Sequence, residues 1–389
     1  MLKSLAYIAT GVVALSAVGY FFVAAPIADR RLNQVAAEPP YDVADSVRAL
    51  HERLMVADLH NDLLLWNRDP LQRYERGHSD LPRLVEGGVG LQVFAAVTQV
   101  PFGRSYEGTA GGSDQISFLV AGQRWPVRTW TSRVERALYQ AEKLEQAAEQ
   151  SDRLGLLRSQ KDLENHLMRR VDQPDRLGAL LAIEGLHALD GDLANLDRLV
   201  DAGYRMMSPT HLHDNAVGGS STGIDKGGLT DFGRQAVRRM IERQVIIDLA
   251  HASDAVIDEV LQMTDRPVVV SHTGVDATCP SPRNLSDAQI RAIADRGGVI
   301  GIGLWPGAVC GSTATATAQA MRHVADLVGV EHVALGSDFD GTVTPPFDAT
   351  GLPRLTAALL EAGFDRDDLR QILSGNAIRL FRQTLPSGA

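Results

Sequence analysis

Short runs that are nearly all apolar alternate along the chain with longer stretches whose apolar positions recur at helical spacing. Eight such runs read as strands: Leu54 to His60, Val89 to Val97, Gly178 to Glu184, Tyr204 to His211, Val245 to His251, Pro267 to His272, Gly297 to Leu304 and His332 to Asp338. Near-continuous apolarity suits parallel strands covered on both faces, and Pro267 heads its run, where a missing N–H is tolerated. Helical spacing appears over Leu193 to Ala202, Phe232 to Arg243, Asp254 to Met263, Asp287 to Asp295 and Ala318 to Val328. Strand and helix alternating eight times predict an α/β fold, a (β/α)₈ TIM-type barrel.

Two stretches depart from this rhythm. No charged residue occurs from Leu5 to Ile27; Lys3 precedes the run and Asp29, Arg30 and Arg31 follow it. That length spans a bilayer, so an uncleaved membrane anchor is favoured. A secretory signal cut near Val23-Ala24-Ala25 is the alternative. Either reading exports the rest of the chain to the periplasmic or extracellular side, and residues 1–40 are taken as anchor or signal plus a linker containing Pro39-Pro40. Residues 41–389 then form the barrel domain. Within it, residues 101–175 fit no simple strand and helix unit. They hold a glycine-rich loop, Gly108 to Gly112, and a polar helical stretch, Ser132 to Gln150, and are read as an insertion suited to a lid.

Composition narrows the function. A chain of 389 residues with 44% hydrophobic and 22% charged residues can bury a large core, and its net charge of -10 offers no basic stripe for nucleic acid. The two cysteines, Cys279 and Cys310, lack the spacing of a structural zinc site, leaving one disulfide or two buried thiols.

The candidate chemistry sits where the strands end. His60 closes the first run with Asp62 just beyond, Glu184 closes the third, His211 the fourth, His251 the fifth, His272 the sixth and Asp338 the last. In a barrel, residues far apart in sequence converge there on one mouth. Burying four histidines and three carboxylates without a metal or paired charges is costly. Imidazole and carboxylate oxygen are ordinary zinc ligands, and Glu184 is placed to bridge one ion held by His60 and Asp62 and another held by His251 and His272. Such a pair shares an activated hydroxide.

These pieces, Asp58-Leu59-His60-Asn61-Asp62, Ile183-Glu184-Gly185, Thr210-His211, Asp248-Leu249-Ala250-His251, Ser271-His272, Pro282-Arg283-Asn284 and Gly336-Ser337-Asp338-Phe339-Asp340-Gly341, resemble in order and context the membrane dipeptidase (renal dipeptidase) family of zinc peptidases, a branch of the amidohydrolase-like barrels. The match runs from about Val56 to Phe381. The resemblance implies two Zn²⁺ per chain with the ligand set given above, and hydrolysis of dipeptides, C-terminal D-residues included. It implies that His211 contacts the scissile carbonyl, that Arg283 holds the substrate carboxylate, and that Asp338 handles the proton. Asp340 and Asn284 fall within family motifs and are read as shaping the loops. The resemblance also implies a Cys279 to Cys310 disulfide and a homodimer. Ala250 and Thr273 stand where family members commonly carry serine, and neither change removes a ligand. A related amidohydrolase acting on another amide or a lactone is the alternative function. His187 and His213 lie near the expected mouth, whereas His51, His78, His166, His323 and His332 are assigned no chemistry.

Overall fold

A computed structural model describes residues 19–388. Nine parallel strands form one sheet: β1 (Val56–Asp58), β2 (Val89–Val97), β3 (Leu154–Leu156), β4 (Leu177–Glu184), β5 (Tyr204–Met207), β6 (Ile246–Ile247), β7 (Val269–Thr273), β8 (Val299–Ile302) and β9 (Val333–Leu335). Eight follow the order β6-β5-β4-β2-β1-β9-β8-β7, and β3 pairs with β4 off this path. The two ends of the path meet at a parallel bridge between Asp248, just past β6, and Val269 of β7. The result is an α/β fold with a curled parallel sheet consistent with a TIM-type barrel.

Alternation within strands explains why they are apolar throughout. In β2, Leu91, Val93 and Ala95 join Ala57, Leu180, Met206 and Val299 in one buried cluster, which Ala377, Leu380 and Phe381 of the C-terminal helix Asn376–Thr384 complete. Phe94 and Ala96 point the other way, into the larger cluster formed with the surrounding helices. The longest unbroken register runs from Leu91↔Gly178 to Val97↔Glu184 and carries Glu184 to the end of β4. Helix starts follow sequence signals. Ser253 caps Asp254–Met263, and Ser286 with Gln289 forms a capping box at Asp287–Ala294.

Several apolar runs outlast the strands they predict. β5, β6 and β9 stop at Met207, Ile247 and Leu335, short of His211, His251 and Asp338. At His251 and Asp338 the backbone is left-handed, with φ of 64° and 60°, so neither residue can sit within a regular strand.

The 101–175 stretch contains the helices Ile116–Gly122, Arg133–Gln150 and Gln160–Asp172. It also contains β3, whose three residues are too few to show a pattern. The helix Arg133–Gln150 buries Val134, Ala137, Ala141 and Leu144, so the polar stretch is amphipathic. Of the apolar run Leu5 to Ile27, residues 5–18 lie outside the described residues. Its described part continues into the helix Ala25–Leu32, and among the described residues no helix is long and apolar enough to cross a membrane. Cys279 and Cys310 are bonded, with Cα atoms 5.2 Å apart, joining the loop after β7 to the segment after β8.

Candidate metal centre

Two buried aspartates fix the strand exits on which the site is built. The Asp58 carboxylate, at the end of β1, accepts from the Ser337 backbone N–H (2.8 Å), the Ser337 hydroxyl (2.7 Å) and Gln92 Nε2 (2.8 Å), so β1, β2 and the β9 exit are held together. Asp248 Oδ1 does the same between β6 and β7, accepting from Ala250 N at 3.0 Å and Ser271 N at 2.9 Å. Each aspartate lies two or three residues before a candidate ligand, His60 or His251. Both stand inside sequence motifs that assign them no role of their own; a lone carboxylate at the end of an apolar strand is the signal that marks them. Gly185, at φ 92°, turns the chain after Glu184, where an added Cβ would approach the His187 ring to 2.5 Å.

The structure brings the candidate residues together around one carboxylate. Glu184 Oε1 lies 3.4 Å from His60 Nε2, 3.1 Å from His251 Nε2 and 3.4 Å from His272 Nε2, while its Oε2 lies 3.4 Å from His211 Nε2. Asp62 Oδ1 is 3.5 Å and Asp338 Oδ1 4.0 Å from His60 Nε2. All seven are buried. Three groupings bring their donor atoms close enough for a metal: His60, Asp62 and Glu184; Glu184, His211 and His251; and His60, His272 and Asp338.

This donor set fits cations. His60 Nε2 and Asp62 Oδ1 are buried with no hydrogen-bond partner, a costly state for polar atoms unless something is coordinated. His251 Nε2 and His272 Nε2 face each other at 2.9 Å. Burial pushes the carboxyls of Asp62 and Glu184 well above their usual range, reinforced by Asp340 for the first and by Asp62 for the second. Burial likewise holds the imidazoles of His211, His251 and His272 well below theirs. Divalent ions would reverse the carboxyl shifts and use the neutral imidazoles as they stand.

A cavity of about 600 Å³ opens above this floor. Arg283 lines it, held by Nη2 donation to His272 O (2.8 Å) and Nη1 donation to Thr273 Oγ1 (3.3 Å), with its buried Nε unpartnered. Burial raises the Asp338 carboxyl to about 8, and His60 opposes part of that rise. Asp340 points away from the cavity. Its carboxylate accepts from Arg68 Nη2 (2.6 Å), His78 N (2.7 Å) and Ser79 Oγ (2.6 Å). Asn284 Nδ2 donates to Cys279 O (2.7 Å) and Ala308 O (2.9 Å), shaping the disulfide loop. His187 stacks beside His211 with ring centroids 6.4 Å apart, and His213 lies 5.5 Å from His187. Tyr106, from the 101–175 stretch, reaches the cavity and accepts from Trp305 Nε1 at 3.1 Å. This stretch matches none of the sequence motifs, so nothing in it marks Tyr106 in advance.

A curled parallel sheet carries this buried histidine and carboxylate cluster at its strand exits, a donor set suited to divalent metal ions. The chain matches the membrane dipeptidase family, peptidase family M19, over residues 44–386, and it belongs to that family. It is 34% identical over 217 residues to dipeptidase aclJ of Aspergillus oryzae, covering 53% of this chain and 51% of that one. Against dipeptidase 3 of Mus musculus it is 27% identical over 357 residues, 86% of this chain and 65% of the other. The chain therefore spans less than two thirds of either relative. The crystal structure of a metallopeptidase from Rhodobacter sphaeroides, liganded with a phosphinate mimic of the dipeptide L-Ala-D-Ala, superposes with a TM-score of 0.69 at 25% identity, covering 85% of this chain and 99% of that one.

Proposed function

We propose that this chain is a zinc-dependent dipeptidase on a closed (β/α)₈ barrel, with two zinc ions held by His60, Asp62, Glu184, His251 and His272. The observation that carries the reading is the convergence of three histidine Nε2 atoms on Glu184 Oε1 within 3.4 Å, beside the unpartnered Asp62 Oδ1. The phosphinate mimic bound by the Rhodobacter sphaeroides relative supports dipeptides as substrates, including those with a C-terminal D-residue.

Bound zinc supplies Lewis acidity and an activated water. The protein's own groups do the rest. Arg283 faces the cavity with a guanidinium suited to pairing a substrate carboxylate through parallel hydrogen bonds. His211 Nε2, 3.4 Å from Glu184 Oε2, donates to the carbonyl oxygen as negative charge develops on it. Asp338, whose Oδ1 lies 4.0 Å from His60 Nε2 at the cavity floor, would be ionised beside bound cations and would take a proton on its carboxylate from the attacking water and pass it to the departing amine.

The apolar run Leu5 to Ile27 supports export with the catalytic domain on the far side of a membrane, either anchored or freed by cleavage. The N-terminal residue of protein recovered from cells decides between the two. A homodimer rests on the family likeness, and light scattering tests it. The functional test is hydrolysis of L,L- and L,D-dipeptides beside an N-acyl amino acid and a lactone, after chelation and after zinc is restored. Zinc-restored dipeptide cleavage supports the reading. Cleavage confined to the acyl amino acid or lactone replaces it with a related amidohydrolase activity.

A further inference from the structure

The helix Ala25–Leu32 lies at the mouth of the cavity, and Ala28 and Leu32 line it. It is fastened there by buried charge. Asp29, only 2% exposed, places Oδ2 at 3.1 Å from Arg68 Nε and 2.9 Å from Arg76 Nε, and its Oδ1 accepts from Asn33 Nδ2 at 2.9 Å. The other end of the buried Arg68 guanidinium binds Asp340 Oδ1 at 2.6 Å. Gly77 makes room for that guanidinium, since a Cβ there would lie 2.4 Å from it. Further along, Asn33 Oδ1 accepts from Thr342 N (3.0 Å), and Ala36 N donates to Pro345 O (2.8 Å). The segment is thus tied to the same loop that presents Asp338.

The cavity it closes has two unlike sides. The floor is the polar cluster and Arg283; the wall joins Leu32 to Leu65, Trp66, Phe102, Phe118 and Val343. The charged ends of a dipeptide belong on the floor. A small dipeptide leaves the wall facing water, whereas a bulky apolar side chain covers it and gains the burial.

We infer that the helix Ala25–Leu32, latched by the Asp29, Arg68 and Asp340 chain, is a wall of the substrate chamber that selects dipeptides carrying a bulky apolar side chain. This rests on the dipeptidase reading above. The test compares kcat/KM for Ala-Ala, Phe-Ala and Ala-Phe in the full-length zinc-loaded protein and in Leu32→Ala, Leu32→Trp and Asp29→Asn. Wild type should favour at least one phenylalanine dipeptide over Ala-Ala by about tenfold. Leu32→Ala should cut that preference by about fivefold, chiefly through KM, because Leu32 supplies only part of the wall. Leu32→Trp should cut it further by filling the space, and Asp29→Asn should cut it by loosening the latch. Leu32 lies at the rim, so its variants carry the test even if Asp29→Asn folds poorly, with circular dichroism as the check on folding. An active wild type without the preference, or Leu32 variants that keep it, overturns this inference alone. A wild type that cleaves no dipeptide overturns it together with the dipeptidase reading.

Discussion

His251 Nε2 and His272 Nε2 stand 2.9 Å apart, and both face Glu184 Oε1, at 3.1 and 3.4 Å. They arrive there from β6 and β7, which the Asp248 carboxylate clasps just below them. Two imidazoles and a carboxylate in that arrangement can all serve one cation. Replacing either histidine with alanine is therefore expected to lower bound zinc from about two to about one per chain and to cut kcat/KM by at least about 10²-fold. Elemental analysis of the purified variants beside dipeptide kinetics checks both parts. Full zinc content in either variant would remove that histidine from the ligand set.

Metal binding should also move protons, in a direction that the burial of the site sets. Asp62 and Glu184 have carboxyls raised well above their usual range, and Asp338 is raised to about 8, all chiefly by burial. The imidazoles of His211, His251 and His272 are lowered. In the metal-free site burial therefore favours the protonated carboxyl, at Asp338 up to about 8, and the neutral imidazole at His211, His251 and His272. Zinc must displace carboxyl protons, so its apparent affinity should rise with pH up to about 8, with net proton release near pH 7. Titration calorimetry in buffers of different ionisation heat measures the number. Zinc binding with no proton release would contradict this account.

Much of this architecture is legible in the residues. The runs that became β2, β4 and β7 are apolar because both faces of those strands are covered, and the Ser253 and Ser286 caps announce the helices that follow. The candidate ligands are legible because barrel geometry assigns strand ends to one mouth. What could not be read depends on contacts between distant segments. Asp29 looks like a flanking charge until Arg68 and Arg76 are seen beside it, and Tyr106 lies in a loop with no periodicity. β3 is three residues long, and only its pairing with β4 identifies it as a strand.

Arg283 gives a prediction that separates binding from chemistry. Its guanidinium lies in the cavity with Nε unpartnered, and its Nη2 already donates to the carbonyl of His272. Charge-assisted hydrogen bonds to a substrate carboxylate contribute about 1.5–3 kcal/mol. Arg283→Ala should therefore raise KM for dipeptides by roughly 10- to 100-fold, with a smaller change in kcat. A dipeptide amide, which lacks the carboxylate, should be affected much less. Zinc analysis of the variant controls for disturbance of His272. Equal losses on the two substrates would show that Arg283 does not hold the carboxylate.

The disulfide should act on the same loop. Cys279 and Cys310 close a segment with a sequence separation of 31, and constraining a loop of that length in the unfolded chain stabilises the fold by about 3–4 kcal/mol. Asn284, next to Arg283, donates to the carbonyls of Cys279 and Ala308, so the bond and the guanidinium share one support. Cys279→Ser with Cys310→Ser should lower Tm by several degrees and raise dipeptide KM more than it lowers kcat. Intact mass of protein purified after export should increase on reduction by the mass of two hydrogens. Two free thiols in that protein, or a double variant with unchanged Tm and KM, would show that the loop holds Arg283 without the covalent link.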